Sequence, residues 1–189
     1  VNYFNWKSPK KHYYIDWKDR DLNPVTNGAI PPYKNPDLEK AYGPEQRGGT
    51  ATCTVVIADE PVGSPVVSDP SVVIIMNRPS MDKFEPRVRG GGLLIVNSSM
   101  VDRPAQRSDV RVVTVDAVRE ATALGDARVA NMVLLGAFLA TTPVVSRETV
   151  RQALRELIPP SRAQMVDLDL SAIARGAEIA REQMLLERV

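Results

Sequence analysis

One histidine and one cysteine in 189 residues set narrow limits on the bonds this chain can make or break. His12 stands beside Lys10 and Lys11 and reads as solvated surface. A nucleophile–histidine relay needs the imidazole held between a nucleophile and an orienting carboxylate, and this stretch offers no such frame. Cys53 lies in a β-branched, apolar run and reads as a small core residue rather than a reactive thiol. A lone cysteine closes no disulfide within the chain, and an iron–sulfur cluster takes about four thiolates. No catalytic residue is assigned to the chain itself.

Ligand contacts are a different matter. Arg47-Gly48-Gly49 joins a guanidinium to two residues without side chains, so cation and backbone could both approach a phosphate or carboxylate. The same triplet would also serve as a tight loop entering a strand, with Arg47 in an intersubunit salt bridge. Asn77 and Asn97 each follow an apolar run that reads as a strand, at the carboxyl ends where α/β sheets bind ligands. An asparagine there is equally suited to capping local backbone, and both readings stand. Gly90-Gly91-Gly92 lacks the lysine and the spacing of a phosphate loop and reads as a turn. Lys83 reads as a salt-bridge partner.

The elements that must position these residues begin after a break in composition near residue 42. All five tyrosines, both tryptophans and every lysine except Lys83 precede it; arginine carries the positive charge beyond it. Residues 1–41, with Pro24, Pro31, Pro32 and Pro36, read as an irregular arm whose aromatics suit packing on a partner. Residues 42–189 read as one α/β domain. Thr52–Ala58, Val72–Met76, Leu93–Val96 and Val110–Val115 are the expected strands. A short helix is expected through Met81–Phe84, and Asp116 should cap a helix ending at Gly125. Residues 127–140 are apolar nearly all round and predict a buried helix. Ser146 should cap 147–157, stopped by Pro159-Pro160, and Asp169 or Ser171 should open the last helix. Strands alternating with helices predict an α/β fold, a mostly parallel sheet with crossover helices.

Composition excludes some partners. A net charge of +1 lacks the basic surplus that phosphate backbones require. Hydrophobic residues at 43% and charged ones at 25% are ordinary globular values. The longest apolar stretch, Val129–Ala140, falls short of the roughly 20 residues a bilayer needs. The start VNYFNWKSPKKHYY has no secretory h-region. The expectation is a cytoplasmic protein with neither nucleic acid nor membrane as partner.

Five blocks in order carry a family resemblance. Tyr42-Gly43-Pro44-Glu45-Gln46-Arg47-Gly48-Gly49-Thr50-Ala51-Thr52-Cys53 resembles the YGPExRGGTAxC segment of gamma subunits of 2-oxoacid:ferredoxin oxidoreductases, the 2-oxoglutarate branch in particular. Val56-Ile57-Ala58-Asp59-Glu60 leads into Gly63-Ser64-Pro65, and Asn77-Arg78-Pro79-Ser80-Met81-Asp82-Lys83-Phe84 is similar to NxPSxDKF. Gly91-Gly92-Leu93-Leu94-Ile95-Val96-Asn97-Ser98-Ser99 resembles GGLLIVNSS, and 128–137 resembles RxANMVxLGA. The resemblance implies a pyruvate:ferredoxin oxidoreductase gamma-domain-like fold in an assembly that oxidatively decarboxylates a 2-oxoacid to an acyl-CoA. It implies thiamine diphosphate and iron–sulfur clusters on partner subunits, and none bound by this chain alone. It implies alpha and beta subunits, a ferredoxin-like delta subunit and ferredoxin as partners. It adds weight to Arg47, Gly48 and Gly49, which with Asn77 and Asn97 at their strand ends are the cofactor-contacting candidates. The chain departs from the family pattern where a GxGGQG loop would stand, since only Gly28 precedes Gly43. Either an arm replaces that strand-helix unit or the segment has a different origin. The rival reading is a free-standing doubly wound module that binds a nucleotide or CoA without catalysis.

Overall fold

The computed structural model describes residues 2–4, 12–17, 52–58 and 67–186. The chain divides into two compact units, Val1–Ser68 and Asp69–Val189.

The first unit holds an antiparallel sheet of β1 (Asn2–Phe4), β2 (His12–Trp17) and β3 (Cys53–Ala58), in that order. Two strands therefore lie within the arm. The run His12-Tyr13-Tyr14-Ile15-Asp16-Trp17 is rich in aromatic and β-branched types that suit a pleated surface. β3 was expected beside the parallel strands and pairs with β2 instead, Trp17 opposite Cys53 and His12 opposite Ala58. Its exposure explains the difference. Cys53 and Val55 are exposed and Thr54 and Val56 half-buried, and Val55 is 52% exposed, as on an antiparallel sheet with one wet face.

The second unit is α/β. Its parallel sheet runs β4 (Val72–Ile75), β5 (Leu93–Asn97) and β6 (Arg111–Val115), with β5 central and buried at every position. Alternation along β5 feeds two cores. Leu93 and Ile95 join Val113, Val115, Val133, Leu134, Ala172 and Ala180 on one face. Leu94 and Val96 join Ile75, Met81, Val88, Val101 and Val110 on the other.

The second of these faces is covered by α1 (Arg78–Phe84), which continues as a 3₁₀ turn through Arg87. The connection from β5 to β6, residues 98–110, contains no helix. A buried carboxylate fastens it instead. Glu85, 2% exposed, accepts hydrogen bonds from the Gln106 and Arg107 amides and from Arg103 Nη1 at 2.6 Å. Pro104 and a polar, unperiodic sequence keep this stretch from coiling.

The other face is covered by α2 (Ala117–Ala123), α3 (Ala130–Thr141) and α5 (Gln164–Leu186). α3 is the buried helix that its apolar sequence predicted, with only Asn131 exposed among its residues. It passes so close to α5 that a Cβ on Gly136 would run into the Ile173 carbonyl, and one on Gly176 into that of Val133. Between them, α4 (Arg147–Leu157) is capped by Ser146, whose Oγ accepts from Thr149 N at 3.0 Å, as expected. α5 begins at Gln164, five residues before Asp169. The first turn after Pro159-Pro160 already buries Val166, so packing extends the helix back past the polar residues that had suggested its start.

The two outer strands end differently. The Gln183 side-chain amide accepts from Thr114 N at 3.0 Å and donates to Thr114 O at 2.5 Å, so α5 closes the edge of β6 as a short strand would. β4 has no such cover among the described residues.

Candidate functional site at the carboxyl edge of the parallel sheet

The carboxyl ends of β4, β5 and β6 lie side by side, and each is followed by a polar turn: Met76-Asn77, Asn97-Ser98-Ser99-Met100, and Asp116. This is the edge at which open parallel sheets receive ligands, because helix starts and loops converge there while the opposite edge is occupied by returning chain.

Asn97 is the hub. Its side chain is 1% exposed, donates from Nδ2 to Met76 O at 3.3 Å, and accepts at Oδ1 from Ala117 N at 3.2 Å. One amide thereby ties the end of β4 to the start of α2. Its carbonyl also accepts from Met100 N and Val101 N, both at 3.1 Å, which closes the turn after β5. Asn77 caps α1, its Oδ1 accepting from Ser80 N at 3.0 Å. Both asparagines thus do the capping work that their sequence context allowed. The structure brings them to neighbouring strand ends, Asn77 directly after the carbonyl that Asn97 grips. Arg47, Gly48 and Gly49 lie outside the described residues.

Asp116 does not cap α2 with its side chain, as the sequence had suggested. The first amides of that helix are satisfied from β5: Ala117 N by Asn97, and Val118 N by Ser99 Oγ at 3.0 Å. Asp116 accepts the Ser99 hydroxyl and pairs with Arg119 at 3.3 Å. Ser98 and Ser99 are rim residues that were not singled out as site candidates from sequence, and Asp116 was read only as a cap. Two consecutive hydroxyl residues directly after a buried strand were the available signal. Ser98 is exposed, and its amide donates to Val115 O at 2.9 Å, locking the last residues of β5 and β6 together.

Around the rim runs a chain of ions. Arg78 pairs with Asp82 at 3.2 Å and with Asp102, and Arg103 joins Asp82 at 2.8 Å and Glu85. Burial alone would raise the Glu85 carboxyl, but the Arg103 guanidinium and the two backbone amides hold it below its ordinary value. Asp82 is likewise lowered, chiefly by the Arg103 hydrogen bond. A surface recess of about 350 Å³ lies among Asp82, Glu85, Pro86, Arg103, Gln106 and Arg107. Its charges are satisfied within the chain, so it fastens the 98–110 connection rather than presenting free groups to a ligand. Among the described residues no three histidine, cysteine, aspartate or glutamate side chains cluster to hold a metal ion. None of the described helices is long and apolar enough to cross a membrane. With Cys53 as its one thiol, the chain does not have the ligands for an iron–sulfur cluster.

Among the described residues the arrangement supplies a rim of backbone, amide and hydroxyl groups without a cluster of metal ligands. What it belongs to is decided by comparison across the chain. The sequence pattern of the pyruvate ferredoxin/flavodoxin oxidoreductase family matches residues 38–179. The chain belongs to that family.

Its relatives divide in substrate. The ketoisovalerate oxidoreductase subunit VorA of Methanothermobacter thermautotrophicus is 39% identical over 145 residues, which cover 76% of this chain and 30% of VorA. This family chain therefore spans under a third of that relative's length. The 2-oxoglutarate synthase subunit KorC of Methanocaldococcus jannaschii is 31% identical over 145 residues, covering 76% of each chain. The crystal structure of a keto/oxoacid ferredoxin oxidoreductase gamma subunit from Geobacter sulfurreducens superposes with a TM-score of 0.64 at 25% identity, covering 91% of this chain and 82% of that one. The α/β class and the gamma-type resemblance read from the sequence agree with these likenesses.

Proposed function

We propose that this chain is the accessory gamma subunit of a 2-oxoacid:ferredoxin oxidoreductase that converts a 2-oxoacid to an acyl-CoA. Thiamine diphosphate and iron–sulfur clusters are held by companion alpha and beta subunits, with a ferredoxin-like delta subunit and ferredoxin taking the electrons in the cytoplasm. The observation that carries the reading is the match over residues 38–179, and the composition of the described site agrees with it, since the rim is built to bind and position. The 2-oxoacid we favour is 2-oxoglutarate, because the KorC likeness covers 76% of both chains. The greater identity to VorA makes ketoisovalerate the competitor to test beside it.

In this reading the cofactor-contacting residues are Arg47, Gly48 and Gly49, with Asn77 and Asn97 holding the strand ends against which the acyl-CoA or its phosphates lie. Residues 1–41 act as the arm toward a companion and 42–189 as the gamma-type domain. The test is reconstitution with the companion subunits and viologen reduction under both 2-oxoacids. Arg47→Ala should lower turnover about tenfold or more, as loss of a bidentate anion contact does, while Lys7→Ala leaves it unchanged. Turnover by the isolated chain would overturn the assignment, and indistinguishable kinetics for the two variants would remove Arg47 from the site.

A further inference from the structure

We draw no further inference here: the strongest candidate, the outer edge of β4 with Ile74 and Met76 exposed beside it, carries nothing because no observation among the described residues shows what covers it.

Discussion

Two buried carboxylates in the second unit have opposite consequences for stability. Asp169 lies on the buried face of α5 with Val166, Ala172, Ile173 and Gly176; it is 5% exposed and makes no hydrogen bond or ion pair with a described residue. Burial, and then the nearby charge of Asp126, raise its carboxyl above the ordinary value. The folded state therefore holds the proton more tightly than the unfolded chain, and stability is gained as pH falls through the folded value. Asp169→Asn should raise the thermal midpoint near pH 7, by about 1 kcal/mol in stability, with the advantage shrinking in acid. An unchanged or lower midpoint at pH 7 would show that the carboxylate has a partner worth keeping. Glu85 is the reverse case. Its lowered carboxyl contributes stability above the unfolded value and loses it as pH falls through the folded one. Glu85→Ala leaves two amides without their acceptor and Arg103 with Asp82 alone, and should cost about 3 kcal/mol at pH 7, with the deficit shrinking in acid. Urea unfolding at several pH values reads both effects, and parallel curves for the two variants would refute the opposition.

At the scale of elements, two close approaches decide the architecture. The contact of α3 with α5 exists because Gly136 and Gly176 let one backbone lie against the other. Gly136→Ala or Gly176→Ala must push the helices apart and should cost about 1–3 kcal/mol each, with less than additive loss in the double variant because both act on one contact. Denaturant midpoints equal to wild type would show that the helices can part freely. The buried character of α3 was legible in its sequence, and so was the Ser146 cap. The closeness was not, since nothing local in ANMVLLGAFLA names the carbonyl that its glycine must face. The same holds for the 98–110 connection. Its sequence shows no helix period, but that Glu85 holds it down, across about twenty residues of chain, depends on how α1 is placed. The start of α2 repeats the lesson: Asp116 stands where a cap belongs, yet Asn97 and Ser99 reach the free amides first.

At the scale of the whole molecule, the unit Asp69–Val189 carries both cores of the parallel sheet, and its β6 edge is closed by Gln183. A fragment of residues 69–189 should accordingly unfold in one cooperative transition and keep the pH response of the Glu85 variant. A broad, non-cooperative melt would mean that residues before 69 complete the core.

The sequence by itself determined the α/β class, the family and most helix positions, because apolar periodicity, proline stops and short motifs act locally or are read directly in the chain. It determined also that one cysteine cannot by itself supply the thiolates of an iron–sulfur cluster. Only the tertiary structure decided that β3 pairs with residues of the arm rather than with β4, because a six-residue β-branched run is compatible with either sheet. It alone decided the bonds that Asn77 and Asn97 make among the described residues, because an amide's partners are whatever backbone the neighbouring strand ends bring within reach. And it alone decided which carboxylates meet which arginines, Glu85 with Arg103 and Glu120 with Arg175 among them, since spacing along a helix says nothing of the partners that other elements deliver.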